Sequence, residues 1–162
     1  MKVDTVMSAR VTVVRPETTL RELWKTLFQK HVNALPVVDG KKNLVGLITK
    51  EDVLKLLYPN YGDLLEDLFT AYDFEEMEER IHELNTRKAR DIMCKRVIYT
   101  REDLPVMRAL SRMIARRLNQ LPVLSRKDDR VVGMVTKGDI FRALFQKHLT
   151  GKTHAIPRKS PK

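Results

Sequence analysis

A chain of 162 residues that is 43% hydrophobic is long enough to bury roughly 68–70% of its unfolded surface in one compact unit, so it needs no staple. Cys94 is the single cysteine, which excludes an intrachain disulfide, and no run approaches the ~18 consecutive apolar residues of a membrane span, so no membrane partner is expected. The net charge of +10 raises a polyanionic partner, but it is unevenly spread: residues 1–60 carry 10 basic and 6 acidic side chains, residues 61–85 carry 1 and 9, and residues 86–162 carry 20 and 6.

The opening MKVDTVMSAR lacks the apolar run of a secretory signal, and a cytoplasmic location is expected. VTVV, Val11 to Val14, predicts a short strand. Thr19-x-x-Glu22 is a capping-box start for a helix whose Leu20, Leu23, Trp24, Leu27 and Phe28 fall at i, i+3, i+4, i+7 and i+8, a stripe that faces a core. ALPVV and LVGLIT follow as two strands joined by DGKKN, where Gly40 and Asn43 suit the turn. A closing helix carries Val53, Leu54, Leu56 and Leu57.

Residues 59–86 read as an acidic helical insert. It holds a short amphipathic piece around Leu64, Leu65, Leu68 and Phe69, then a helix capped by Asp73-x-x-Glu76 with Phe74, Met77, Ile81 and Leu84 on one side. That apolar side covers the module's own surface or builds a contact in a homodimer. The earlier pattern then returns. Val106, Ala109, Leu110, Met113 and Ile114 repeat the first helix, LPVL and VVGMVT repeat the strands around SRKDDR, and Ile140, Phe141, Leu144 and Phe145 mark a closing helix. The basic, proline-containing residues 149–162 read as a flexible tail.

The return is more than periodicity. GLITKEDV, Gly46 to Val53, reappears as GMVTKGDI, Gly133 to Ile140, and NALPV from Asn33 reappears as NQLPV from Asn119, at offsets of 87 and 86. Two units predict a pseudo-twofold pair and not a solenoid. Each is β-α-β-β-α, too small to be stable alone, so the two are expected to pack sheet to sheet and share a core. The fold class expected is α/β (α+β), with repeats over 1–58 and 87–148.

At Thr49 and Thr136 a strand ends and a helix begins, so each threonine is a natural N-cap, with Asp52 or Asp139 three residues on near the positive end of the helix dipole. One such turn is fully explained as a cap. Two favour function, because threonine and aspartate persist while Glu51 becomes Gly138. A carboxylate at a strand-to-helix mouth can accept two hydrogen bonds from a ribose diol, and nearby free N–H groups favour phosphate, which together describe a nucleotide site. Catalysis has little support: the glycines are scattered, and His31, His82, His148 and His154 show no metal-ligand spacing, so neither a catalytic group nor a metal is expected.

The openings TVM and DIM, the doubled N-x-L-P-V and the doubled G-h-h-T-x-x-D, where h is apolar, resemble the cystathionine-β-synthase (CBS) domain, and the chain is similar to a stand-alone CBS pair over about 1–58 and 87–148. The resemblance implies a regulatory module with clefts between its repeats for adenosine derivatives such as AMP, ADP, ATP or S-adenosylmethionine, and possible regulated protein partners. It implies ribose contacts from Asp52, Asp139, Thr49 and Thr136. It implies base contacts from Leu35, Pro36 and Val37, from Leu121, Pro122 and Val123, and from the neighbourhoods of Val11-Thr12 and Val97-Ile98. The position three before the proline is often basic in phosphate-binding members, but here it is Asn33 and Asn119. Asparagine cannot neutralise charge, so phosphate would depend on His31, Lys50, Arg117 or Lys137. The alternative is a basic interaction protein that binds nucleic acid and takes no small molecule.

Overall fold

The computed structural model describes residues 1–57, 79 and 81–149. Most of the expected insert helices and the expected tail from residue 150 onward lie outside the described residues; residues 81–84 are helical. In chain order the elements are a 3-10 turn Val3–Thr5, α1 Leu20–Trp24 continued by a π-helical stretch Lys25–Gln29, β1 Ala34–Val38, β2 Leu44–Thr49 and α2 Lys50–Leu57. The second copy supplies α3 Ala89–Ile92, β3 Thr100–Arg101, α4 Val106–Ala115, β4 Gln120–Leu124, β5 Val131–Thr136 and α5 Lys137–His148. Helix and strand mix as the α+β expectation requires.

The two hairpins repeat each other residue for residue. β1 pairs antiparallel with β2, setting Leu35 opposite Ile48 and Val37 opposite Gly46, with a register shift between Val37 and Val38. β4 and β5 set Leu121 opposite Val135 and Val123 opposite Gly133, with the shift between Val123 and Leu124. The turns differ in sequence but meet one another: Leu44 N–H donates to Asp129 O at 3.0 Å and Val131 N–H donates to Lys42 O at 3.1 Å. In the first turn Asp39 accepts from the N–H groups of Lys41 and Asn43 at 2.8 and 2.9 Å. The Asn43 N–H is the main cause that holds this carboxyl below the usual carboxylate range.

The expected strand VTVV is reduced to one bridge, Val14 to Val37, with Val14 N–H donating to Pro36 O at 3.0 Å and Val38 N–H donating to Val14 O at 2.9 Å. In the second copy the equivalent pairing is parallel, Thr100 with Val123, and it continues only forward to Arg101 and Leu124. Proline explains the truncation in both. A parallel ladder extended backward would need the N–H of residue 36 to reach the carbonyl of Thr12, and that of residue 122 to reach Ile98, and proline has no N–H. Each copy is therefore β-α-β-β-α only with a first strand of one or two residues.

The helical stripes are narrower than their periodicity suggests. Leu20, Leu23 and Leu27 are buried, but Trp24 is 48% exposed and tilts against Phe28 with ring centroids 6.0 Å apart. Trp24 ends the α-helical part at the edge of the Leu20 and Leu23 stripe, and the π-helical stretch that follows still buries Leu27. On α4 Val106, Ala109, Leu110 and Met113 are buried while Ile114 is 61% exposed.

The single shared core of the sequence reading is not what forms among the described residues: there are two clusters, each completed by the other copy. Leu20, Leu23, Leu27, Leu35, Val37 and Ile48 pack with Ala89, and with Ile92 and Met93 at the edge. Met113, Leu121, Val123, Val135 and Ile140 pack with Val3, and with Val6 and Met7 at the edge. The lead-in segments have crossed over. Val3 N–H donates to Leu104 O at 2.9 Å, and Ala89 N–H donates to Thr18 O at 2.8 Å; Ser8 bridges Met134 just as Cys94 bridges Leu47. Burial of apolar area drives this exchange, because a small two- or three-stranded unit cannot cover its own sheet.

Candidate functional site

The crossed lead-ins pass over the doubled glycines. A Cβ built on Gly46 would stand 2.8 Å from Met93 Cγ and 2.9 Å from Met93 Cβ, and one on Gly133 would stand 2.8 Å from both Met7 Sδ and Ser8 O. The G of the repeated G-h-h-T phrase is thus a packing requirement, distinct from the T-x-x-D that follows it. That glycine was visible in the sequence, but its methionine partners are 47 and 126 residues away in the chain.

Each T-x-x-D turn closes a capping box. Thr49 N–H and Oγ1–H both donate to Asp52 Oδ2 at 2.8 Å, and Asp52 N–H donates back to Thr49 Oγ1 at 3.3 Å. In the second copy Thr136 donates to Asp139 Oδ2 from N at 3.0 Å and from Oγ1 at 2.8 Å, and Asp139 N–H donates to Thr136 Oγ1 at 3.0 Å. One oxygen per carboxylate, Oδ2, closes the box; Oδ1 of Asp139 lies 3.9 Å from the Arg142 guanidinium. The same chemistry at Thr19-Glu22 holds the Glu22 carboxyl below its ordinary value, through the backbone N–H and then the hydroxyl of Thr19.

The two turns open on one cleft of about 690 Å³ between the copies, within the ~300–1,000 Å³ usual for small-molecule sites. Equivalent residues of both copies line it: Asn33 and Asn119, Thr49 and Thr136, Lys50 and Lys137. Arg117, Glu51, Gly138 and Leu47 complete much of the rest. Among the described residues no group of three or more His, Cys, Asp or Glu side chains could hold a metal ion, and no helix is long and apolar enough to cross a membrane.

A family model for the CBS domain matches residues 3–59 and 89–146. The chain belongs to the CBS domain family. This CBS chain is 32% identical over 131 residues to protein MJ1426 of Methanocaldococcus jannaschii, a match spanning 74% of this chain and 77% of that one. The CBS pair of protein MJ0100, solved in complex with 5'-methylthioadenosine and S-adenosyl-L-methionine, superposes with a TM-score of 0.68 at 27% identity, over 91% of this chain and 98% of that one. CBSX2 of Arabidopsis thaliana, solved in complex with AMP, gives 0.69 at 25% identity, over 90% and 97%. The CBS chain spans only 24% of a matched homoserine O-acetyltransferase and 23% of a matched inosine-5'-monophosphate dehydrogenase.

In this CBS pair the sequence-predicted residues divide into groups. Asn33, Thr49, Lys50, Arg117, Asn119, Thr136 and Lys137 line the cleft; Asp52 and Asp139 sit half-buried behind their threonines, and His31 is exposed outside the lining. Leu35, Val37, Leu121 and Val123 have fully buried side chains in the two cores, flanking the buried Pro36 and Pro122. Val11, Val97 and Ile98 are half-buried and Thr12 is exposed, in the stretch where proline cuts the ladder short. His31 and Arg117 share one feature that composition does not announce: both hold a left-handed backbone, φ 54° and 53°.

Proposed function

We propose that this chain is a regulatory module that binds an adenosine derivative in the cleft between its CBS repeats and signals by occupancy. The observation that carries the reading is that both T-x-x-D turns open on one cleft of about 690 Å³. The ligands of MJ0100 and CBSX2, all adenosine derivatives, support the same chemistry. In this reading Asp52 and Asp139 keep Oδ2 in the capping box and offer Oδ1 to a ribose hydroxyl, with Thr49 and Thr136 beside them. The base lies along Val11-Thr12 or Val97-Ile98, where a carbonyl that proline cannot pair is open to an adenine amino group. The buried strands Leu35–Val37 and Leu121–Val123 support that surface from behind.

No catalytic step is assigned to the chain, and the adenine ligand acts as a regulator in the cytoplasm. Thermal melting against adenosine, AMP, ADP, ATP and S-adenosylmethionine tests the reading, since a ligand at 100 times its dissociation constant adds about 2.7 kcal/mol of stability. No shift with any of them, together with salt-sensitive retention of RNA or DNA, would move the assignment to a basic nucleic-acid-binding protein.

The module is proposed to work as a homodimer. Phe141, Phe145 and Leu149, four apart on and just beyond α5, are 47%, 57% and 69% exposed, with Ile114 of α4 at 61%. Such a row favours a self-complementary contact. Sedimentation of the full chain should give a dimer mass, and Phe145→Asp should shift it toward monomer; a monomer at all concentrations refutes the dimer.

A further inference from the structure

The doubled T-K-x-D turns make the cleft look symmetric, but its charges are not. On the second copy's side it is lined by Arg117, Lys137 and Gly138, and on the first copy's side by Lys50 and Glu51. Among the described residues, one side therefore presents two cations and no carboxylate. The other sets a carboxylate next to its cation. Lys137 Nζ lies 3.5 Å from Asn119 Oδ1, so it is held at the lining, whereas Lys50 Nζ rests 5.6 Å above the Phe28 ring.

Two residues on the second copy's side are unexplained by folding. Gly138 has no positive φ, and among the described residues a Cβ there would meet only Thr136 Oγ1, at an unstrained 3.5 Å. Neither turn geometry nor close packing calls for glycine inside the first turn of α5, where it weakens the helix. Its effect is to leave the cleft without the carboxylate that Glu51 provides opposite. Arg117 is the converse. Its N–H donates to Ile114 O at 3.2 Å, and Leu118 N–H donates to Met113 O at 2.8 Å, the helix-ending pattern whose left-handed residue is usually glycine. Folding would be served better by glycine at 117 and by a side chain at 138. The guanidinium fork suits the two oxygens of a phosphate.

We propose that the cleft is an asymmetric anion site. It takes one phosphorylated ligand per chain, with the phosphate between Arg117 and Lys137 on the second copy's side, and Glu51 keeps anions off the first copy's side. The proposal rests on the adenosine reading for the rest of the ligand and not for the phosphate.

Calorimetric titration with AMP, adenosine and inorganic pyrophosphate tests it on the full chain and on Arg117→Gly, Lys137→Gln, Lys50→Gln and Glu51→Gln. AMP should bind once per chain and about 10-fold or more tighter than adenosine. Arg117→Gly and Lys137→Gln should each reduce that preference, and Lys50→Gln should reduce it less. Glu51→Gln should admit a second AMP. Arg117→Gly restores glycine at a left-handed position, so its melting temperature should stay level or rise, and lost affinity then reflects the cleft. Equal affinities for AMP and adenosine, two AMP sites in the unsubstituted chain, or a larger loss with Lys50→Gln than with Lys137→Gln would overturn the asymmetry. Pyrophosphate binding that depends on Arg117, with no binding of adenosine or AMP, would keep the anion site and remove the adenosine reading. Failure of both AMP and pyrophosphate to bind removes the anion site.

Discussion

Replacing Asp139 with alanine is expected to weaken AMP binding by roughly 10- to 100-fold, the loss of one hydrogen bond to a charged acceptor at about 1.5–3 kcal/mol. Asp52→Ala should weaken only an uncharged adenosine derivative held on the first copy's side, so the double substitution should affect AMP no more than Asp139→Ala alone. The carboxylates have a second role that must be separated from this one, because Oδ2 of each closes a capping box with Thr49 or Thr136. Losing a cap costs about 1 kcal/mol of helix stability. Asp139→Asn separates the two roles. Its amide oxygen can still accept from Thr136 N–H, while the second carboxylate oxygen and the charge are gone. The expected pattern is a melting temperature close to that of the unsubstituted chain with an AMP affinity near that of the alanine variant. Melting that falls in both variants while AMP affinity is retained would reduce the carboxylates to caps.

The second large effect concerns folding. Gly46→Ala should destabilise the chain by about 1–3 kcal/mol, the usual cost of adding a methyl to a filled site. All three atoms nearest the added Cβ belong to Met93, so truncating that side chain removes most of the conflict. In a double-mutant cycle measured by urea unfolding, Gly46→Ala with Met93→Ala should cost less than the sum of the single changes, with a coupling of about 0.5–3 kcal/mol. The equivalent cycle at Gly133 and Met7 should show weaker rescue, because the Ser8 carbonyl also stands 2.8 Å from the added Cβ. That carbonyl accepts from Met134 N–H at 3.0 Å and cannot withdraw freely. Additive energies at Gly46 and Met93 would mean that the lead-in does not rest on the strand as described.

These expectations mark how far the sequence could be read. The hairpins were legible because alternation, a proline and a turn recur in the same order, and their pairing repeats down to the register shift after Val37 and Val123. The helix starts were legible because capping is local: Thr19, Thr49 and Thr136 each close a box with an acid three residues on. The first strand was misjudged because VTVV has strand character of its own, while the missing N–H belongs to Pro36 across the ladder. Trp24 was misplaced because it stands at the edge of the Leu20, Leu23 and Leu27 stripe, where spacing alone does not decide burial.

The amino-acid sequence by itself determined that this protein is a duplicated α+β unit with a threonine-aspartate turn at the end of each hairpin, because capping, turn chemistry and apolar period act over a few residues. Only the tertiary structure decided that the lead-ins exchange, so that Val3 completes one core and Ala89 the other. Only it decided that Lys50, Lys137 and Arg117 face a common cleft. Contacts over such separations depend on which surfaces the whole chain can bury together, and no local pattern encodes that choice.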